Sequence, residues 1–197
     1  MSALIIETSC TQAVVGLAKN GKIVQMQTLP GDNQLSKILL PSLQSLLKNN
    51  QIQLSELDYI AVGIGPGSYT GTRVGVSIAK TLELALGIPV IGFCSLLAFL
   101  PFETGNFAAL LESKWGDFFL IKGQKEHSGF SGLQMHRNCP PSSLALDGIE
   151  HVVGNKPEWL KPALNLQSVA SHCHEEWKRG AYDPSGKLDL LYLNNLS

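Results

Sequence analysis

The chain has 197 residues, with 15 Lys and Arg against 16 Asp and Glu, 19 Gly, 10 Pro and 4 Cys. That length holds one large domain or two small ones and buries a core without disulfides. A composition 44% hydrophobic and 16% charged excludes disorder and a charge-rich solvated scaffold. A formal net charge of -1 excludes a protein that grips nucleic acid by bulk electrostatics, because phosphate neutralisation needs clustered Lys and Arg.

In chain order, residues 3–7 form a β-rich apolar run, 8–12 a polar break, and 13–18 a second strand. Asn20-Gly21 is a hairpin-turn signal, and 22–29 alternates as a third strand. Residues 34–48 have helical spacing through Leu35, Ile38, Leu39, Leu43, Leu46 and Leu47, with Pro41 either starting or kinking the helix. The run 60–64 reads as a strand covered on both faces, and a helix to Leu86 is closed by Gly87 and Pro89. A short strand at 90–93 precedes a helix from Ser95, as N-cap, to Leu100. Beyond a boundary at 101–105, paired strands are expected at 107–111 and 117–122, then a loop at 123–132 and a strand at 133–137. A helical turn at 140–146, a strand at 151–153, and helices at 157–160 and 170–180 follow. The pattern predicts an α/β protein of two lobes, 1–101 and a smaller 102–197.

Charge is unevenly shared: residues 1–100 carry 6 basic and 5 acidic residues, and 101–197 carry 9 and 11. The first half is therefore expected to have part of its surface covered by a partner. Its opening apolar run is too short for a signal peptide, and 88–100 is interrupted and shorter than the ~20 residues of a membrane span. A cytoplasmic protein with no membrane partner is the expectation. Cys10, Cys94, Cys139 and Cys173 are scattered and read as reduced, packed thiols. His172, Cys173 and His174 lack a second ligand pair at zinc spacing, so no metal site is assigned.

Gly63, Gly65, Gly67, Gly71 and Gly75 crowd a strand-to-helix junction. Thr72 stands where a Walker loop needs Lys, and Pro66 and Thr70 flank Ser68 where a nucleophile elbow needs Gly. Two readings remain open: a tight turn capped by Ser68 or Thr70, or phosphate binding in which Glu7, Gly65, Gly67 and Ser68 are the cofactor candidates. Gly71, Gly75 and Ala79 share one helix face beside a stripe of Val74, Ile78 and Leu82, which lets another helix come close. With Arg73, and with Leu35, Leu39 and Leu43 on the preceding helix, they are the expected partner-binding residues. On that expectation, Gly75→Arg blocks a partner helix.

Ala3-Leu-Ile-Ile-Glu-Thr-Ser9, the glycine segment with its Ser-Tyr-Thr-Gly-x-Arg73-x-Gly75 continuation, and Gly92-Phe-Cys-Ser-Leu96 resemble the bacterial TsaB (YeaZ) proteins. The resemblance is dense over 3–100. Afterwards only Ala109-Leu-Leu-Glu112, Val153-Gly154-Asn155 and Tyr192-Leu193 follow the pattern. It implies the two-lobed fold of actin, sugar kinases and heat-shock ATPases, with a shortened second lobe. It also implies a non-catalytic role in threonylcarbamoyl (t6A) modification of adenosine 37 in tRNAs reading ANN codons. The implied partners are a TsaD-like transferase bound through helix pairs and a TsaE-like ATPase. A homodimer in the partner's absence is implied as well, and the mild net charge leads to the expectation that contact with tRNA is only indirect, through partners. No cofactor is expected of the chain alone, with ATP or ADP at the heteromer interface as the one place for a nucleotide.

The departures point away from catalysis. The stretch matching a two-His metal helix reads Leu35-Ser-Lys-Ile-Leu39, which removes a metallopeptidase's ligands. Glu7 replaces Asp, Glu112-Ser-Lys-Trp-Gly116 is not an Asp-x-Gly phosphate loop, and Tyr192-Leu193-Asn194 replaces Tyr-Leu-Arg. No catalytic residue is assigned. The alternative is a stand-alone ATPase or small-molecule kinase, which needs a general base and a second phosphate loop.

Overall fold

The computed structural model describes residues 1–10, 12–30, 34–113, 116–127, 129–154, 156, 158–183 and 187–191. Lys114, Trp115, Asn155, Pro157, Tyr192, Leu193 and Asn194, which enter the sequence readings above, lie outside the described residues.

Strands β1 (Ser2–Glu7), β2 (Ala13–Lys19) and β3 (Lys22–Leu29) form the expected antiparallel meander. Its second turn uses left-handed backbone at Asn20 (φ 49) and Gly21 (φ 74), the twist a two-residue hairpin needs. Helix α1 (Leu35–Asn49) carries the chain to β4 (Tyr59–Gly63), parallel to β1, and α2 (Tyr69–Leu86) carries it to β5 (Val90–Phe93), parallel to β4. The sheet order is β3-β2-β1-β4-β5. Every residue of β4 is buried, as a central strand covered on both faces requires. Leu39, Leu43, Leu46 and Leu47 seat α1 on the core with Leu4, Ile6, Val15 and Ile60. The helix begins ahead of Pro41 and runs past it. Helix α2 is capped by Ser68, whose Oγ accepts the Gly71 N–H, and closed by Gly87 at φ 68.

The second sheet holds β6 (Gly105–Glu112), β7 (Phe118–Glu126), β8 (Gly129–Cys139) and β9 (His151–Val153) in the order β8-β7-β6-β9, with β6 and β9 parallel. Ala108, Leu110, Phe118 and Leu120 centre its core, backed by Leu144, Leu146 and Trp159.

Three expectations are corrected. Residues 123–126 and 129–132 are not loop but the paired ends of β7 and β8, where Phe130 packs edge-on against Phe107 at 5.6 Å and anchors an otherwise polar stretch of the ladder. Ser95–Phe99 is a 3-10 turn rather than an α-helix. Leu160 is not helical either: it bridges Val153 in parallel.

The chain divides into a first unit of Met1–Ser95 with Val169–Leu191, and a second built on Leu96–Ser168, which differs from 1–101 and 102–197. The reason is helix α3 (Leu166–Arg179). Its Trp177 stacks on Tyr59 at 6.0 Å, and its Ser171 hydroxyl donates to the Gly21 carbonyl at 3.4 Å. Further on, the Leu191 N–H donates to Ile64 O at 2.7 Å.

Candidate functional site

Strand β1 ends by carrying Glu7 to the glycine segment that follows β4. The Glu7 side chain is 0% exposed. Its Oε1 accepts the N–H and the hydroxyl of Ser9, both at 2.6 Å, and its Oε2 has no hydrogen-bond partner among the described residues and faces Gly63. The Ser9 hydroxyl also lies 2.6 Å from Ser95 Oγ, which accepts the Gly65 N–H at 3.2 Å. Ser95 N–H returns a bond to Gly65 O at 2.7 Å, and Ser68 N–H donates to Ser9 O at 2.6 Å. The Gly65-Pro66 peptide is cis. Glu7, Ser9, Ser95 and Gly65 thus tie three chain segments together.

Of the cofactor candidates, Glu7 and Gly65 meet in this network, Gly67 packs on Ser9, and Ser68 caps α2. The arrangement does not fit a magnesium-bound nucleotide. A phosphate loop needs open space at its glycines and free N–H groups at the helix start. Here a β-carbon at Gly63, Gly65 or Gly67 would come closer than 3.0 Å to Glu7, to the Leu191 carbonyl or to the Ser9 carbonyl. The chain's own atoms occupy the approach.

The same finding corrects the partner-binding set. A β-carbon at Gly71 or Gly75 would overlap the carbonyl or hydroxyl of Thr8, and Thr8 Oγ1 donates to Gly71 O at 2.7 Å. Gly71, Gly75, Ala79 and Leu82 are buried, so the small-residue face receives the turn after β1, not a partner helix. Gly75→Arg would therefore strike Thr8 and Ile6 inside the lobe. Leu39 and Leu43 are core. Leu35, Val74 and Ile78 are half-buried against the same core, and only Arg73 of the set is exposed.

The surface left to α1 and α2 joins Arg73 to residues outside that set. Leu40 is 42% exposed, Tyr69 56% and Leu84 89%. Leu40 and Leu84 fall off the core stripe in the helical spacing, and that was their legible signal. Thr8, Ser9 and Ser95 gave no comparable signal, since their role depends on contacts distant in sequence.

Burial first, and the Glu7 carboxylate next, push the Cys10 thiol well above the ordinary range, which disfavours its thiolate. Cys173 is raised by burial and then by Glu176, and burial lowers His172. His174 packs against Gly21. Among the described residues no three His, Cys, Asp or Glu gather as a metal site, and no helix is long and apolar enough to cross a membrane.

The first sheet is an antiparallel meander extended by two parallel strands, β4 and β5, and the second is one extended by the single parallel strand β9, so the chain has a mixed α/β fold of two sheets built on one plan. Within that fold class it is similar to TsaB (YeaZ) proteins. A family model of TsaD, tRNA N6-adenosine threonylcarbamoyltransferase, matches residues 31–108. The tRNA threonylcarbamoyladenosine biosynthesis protein TsaB of Escherichia coli is 27% identical over 135 residues, 66% of this chain and 58% of that protein. TsaB of Buchnera aphidicola is 36% identical over 93 residues, 47% of this chain and 44% of that one. The chain thus spans about half the length of the curated relatives it matches. A Pseudomonas aeruginosa crystal structure described as similar to peptidase YEAZ has a TM-score of 0.79 at 21% identity, covering 98% of this chain and 99% of that one. YeaZ of P. aeruginosa has a TM-score of 0.74, also at 21% identity, over 92% and 94% of the two chains. The family-model match falls mostly in the first lobe, and the fold likeness extends over nearly the whole chain.

Proposed function

We propose that the chain is a catalytically silent, TsaB-like subunit of the t6A machinery, acting in the cytoplasm. It binds a TsaD-like transferase through the exposed side of α1 and α2, works with a TsaE-like ATPase, and meets tRNA only through these partners. Without the transferase the same surface supports a homodimer. Any ATP or ADP at the heteromer interface is held chiefly by the partner.

One observation carries this reading. The two helices covered by the TsaD family match leave Leu40, Tyr69 and Leu84 standing out on a surface with few charges. The kinase alternative needs a carboxylate open to metal, whereas Glu7 is buried and bonded to Ser9. Co-purification with the TsaD-like protein of the same genome, a native mass of the complex, and a t6A assay on unmodified tRNA test the proposal. The expected result is a stoichiometric complex required for modification, with no ATP turnover by the lone chain. Robust turnover by the lone chain, with no complex formed, would overturn it.

A further inference from the structure

Between α1 and α2 lies an open groove of ≈ 460 Å³. Val74 and Ile78 form its apolar part, and Ser36, Thr70 and Ser77 supply hydroxyls. Arg73 is its one charged lining residue among the described residues. The guanidinium donates to the Tyr69 hydroxyl and lies 5.1 Å from that ring's centroid, which holds the fork at the groove. An arginine has five N–H donors in a planar fork matched to a carboxylate, and no carboxylate pairs with Arg73 among the described residues.

Among the described residues of the two helices, the charge near the groove has the same sign. Helix α1 contains Lys37 and Lys48 and no acidic residue. The one acid of α2, Glu83, is bound to Lys80 toward the far end of the helix. The exposed helix pair is therefore apolar with a cationic anchor. A second copy of this chain meeting it about a two-fold axis would set Arg73 and Lys37 among their own images. A partner bearing a carboxylate meets no such repulsion and satisfies the fork.

We infer that the groove at Arg73 is an acid-reading pocket: it takes an Asp or Glu presented from the apolar face of a partner helix, and so favours the heteromer over self-association. The inference rests on the proposed TsaD-like partner and adds the chemistry by which that partner is selected. Leu40 and Leu84 supply contact area, and Arg73 supplies discrimination.

The test is titration calorimetry of the full chain against the purified TsaD-like protein, at low and at roughly 0.5 M salt. Wild-type binding should weaken with salt. R73A should lose about 10- to 100-fold in affinity and flatten the salt response, R73E should lose more than R73A, and R73K should fall between wild type and R73A. Leu84→Ala should weaken binding while leaving the salt response as in wild type. Arg73 is exposed, so the variants should melt as wild type does, and R73Q keeps the read-out if R73E unfolds. Wild-type binding with R73E equally tight, or with the R73A salt response unchanged, overturns the pocket and leaves the proposed function standing. No wild-type binding at all overturns both.

Discussion

The two sheets are built alike and finished differently. In each, a central strand pairs antiparallel with the next strand and parallel with a later one: β1 with β2 and β4, β6 with β7 and β9. Both central strands end in glutamate, Glu7 opposite Val14 and Glu112 opposite Phe118. Glu7 is buried and tied to Ser9, whereas Glu112 is exposed. Between β3 and β4 stands a 15-residue helix, while between β8 and β9 there is only the 3-10 turn Pro141–Ser143. The shared sheet is a frame, and long helices were added between the strands of one copy of it.

The sharpest way to break that contrast is at Gly71 or Gly75. Gly71→Val and Gly75→Arg put side chains into Thr8 and should cost about 3 kcal/mol or more, read as a fall in urea midpoint or as loss of soluble protein. A β-carbon at Gly148 of the second lobe meets nothing within 4 Å, and at its φ of 73 the change to Ala should cost about 1 kcal/mol.

The glutamate pair comes next. Glu7→Ala strands the buried Ser9 N–H and should destabilise by about 2–3 kcal/mol, while Glu112→Ala should stay within about 0.5 kcal/mol. Parallel chemical melts measure both, and equal effects would erase the distinction between the lobes.

A smaller effect concerns His172, whose folded-state pKa burial holds below its ordinary 6.5. The unfolded chain then binds the extra proton first, so stability should be complete above about pH 6.5 and fall as the solution is acidified toward the folded pKa. The slope for one group cannot exceed about 1.4 kcal/mol per pH unit. Melting curves from pH 7.5 to 5 (roughly the window His titrates in) should flatten in His172→Gln. The smallest effect belongs to Leu84→Ser, which should leave stability within about 0.5 kcal/mol while weakening partner binding.

Much of this was readable from the sequence, because strand alternation, the Asn20-Gly21 turn and the Ser68 and Gly87 caps are local signals. The glycine face was not. A small-residue stripe announces a close neighbour without saying which one, and here it is Thr8, more than sixty residues earlier in the chain. The scarcity of charge in the first half has a double origin for the same reason. Part of it is core, as at Leu39 and Leu43, and part is the exposed surface at Leu40 and Leu84. Periodicity alone does not separate an inward leucine from an outward one when both helices are rich in them. Phe130 was hidden in a stretch whose composition reads as loop, and its pairing with Phe107 depends on a strand register that composition does not encode.

The bond from Leu191 to Ile64 has a consequence in time as well as in space. On a ribosome the first lobe's strands and helices α1 and α2 emerge early, but the segment that backs Gly65 and Gly92 is made about a hundred residues later. Closing so long a loop is slow relative to local hairpins, so the nascent lobe carries an open seam beside its glycine segment until the second lobe has been synthesised.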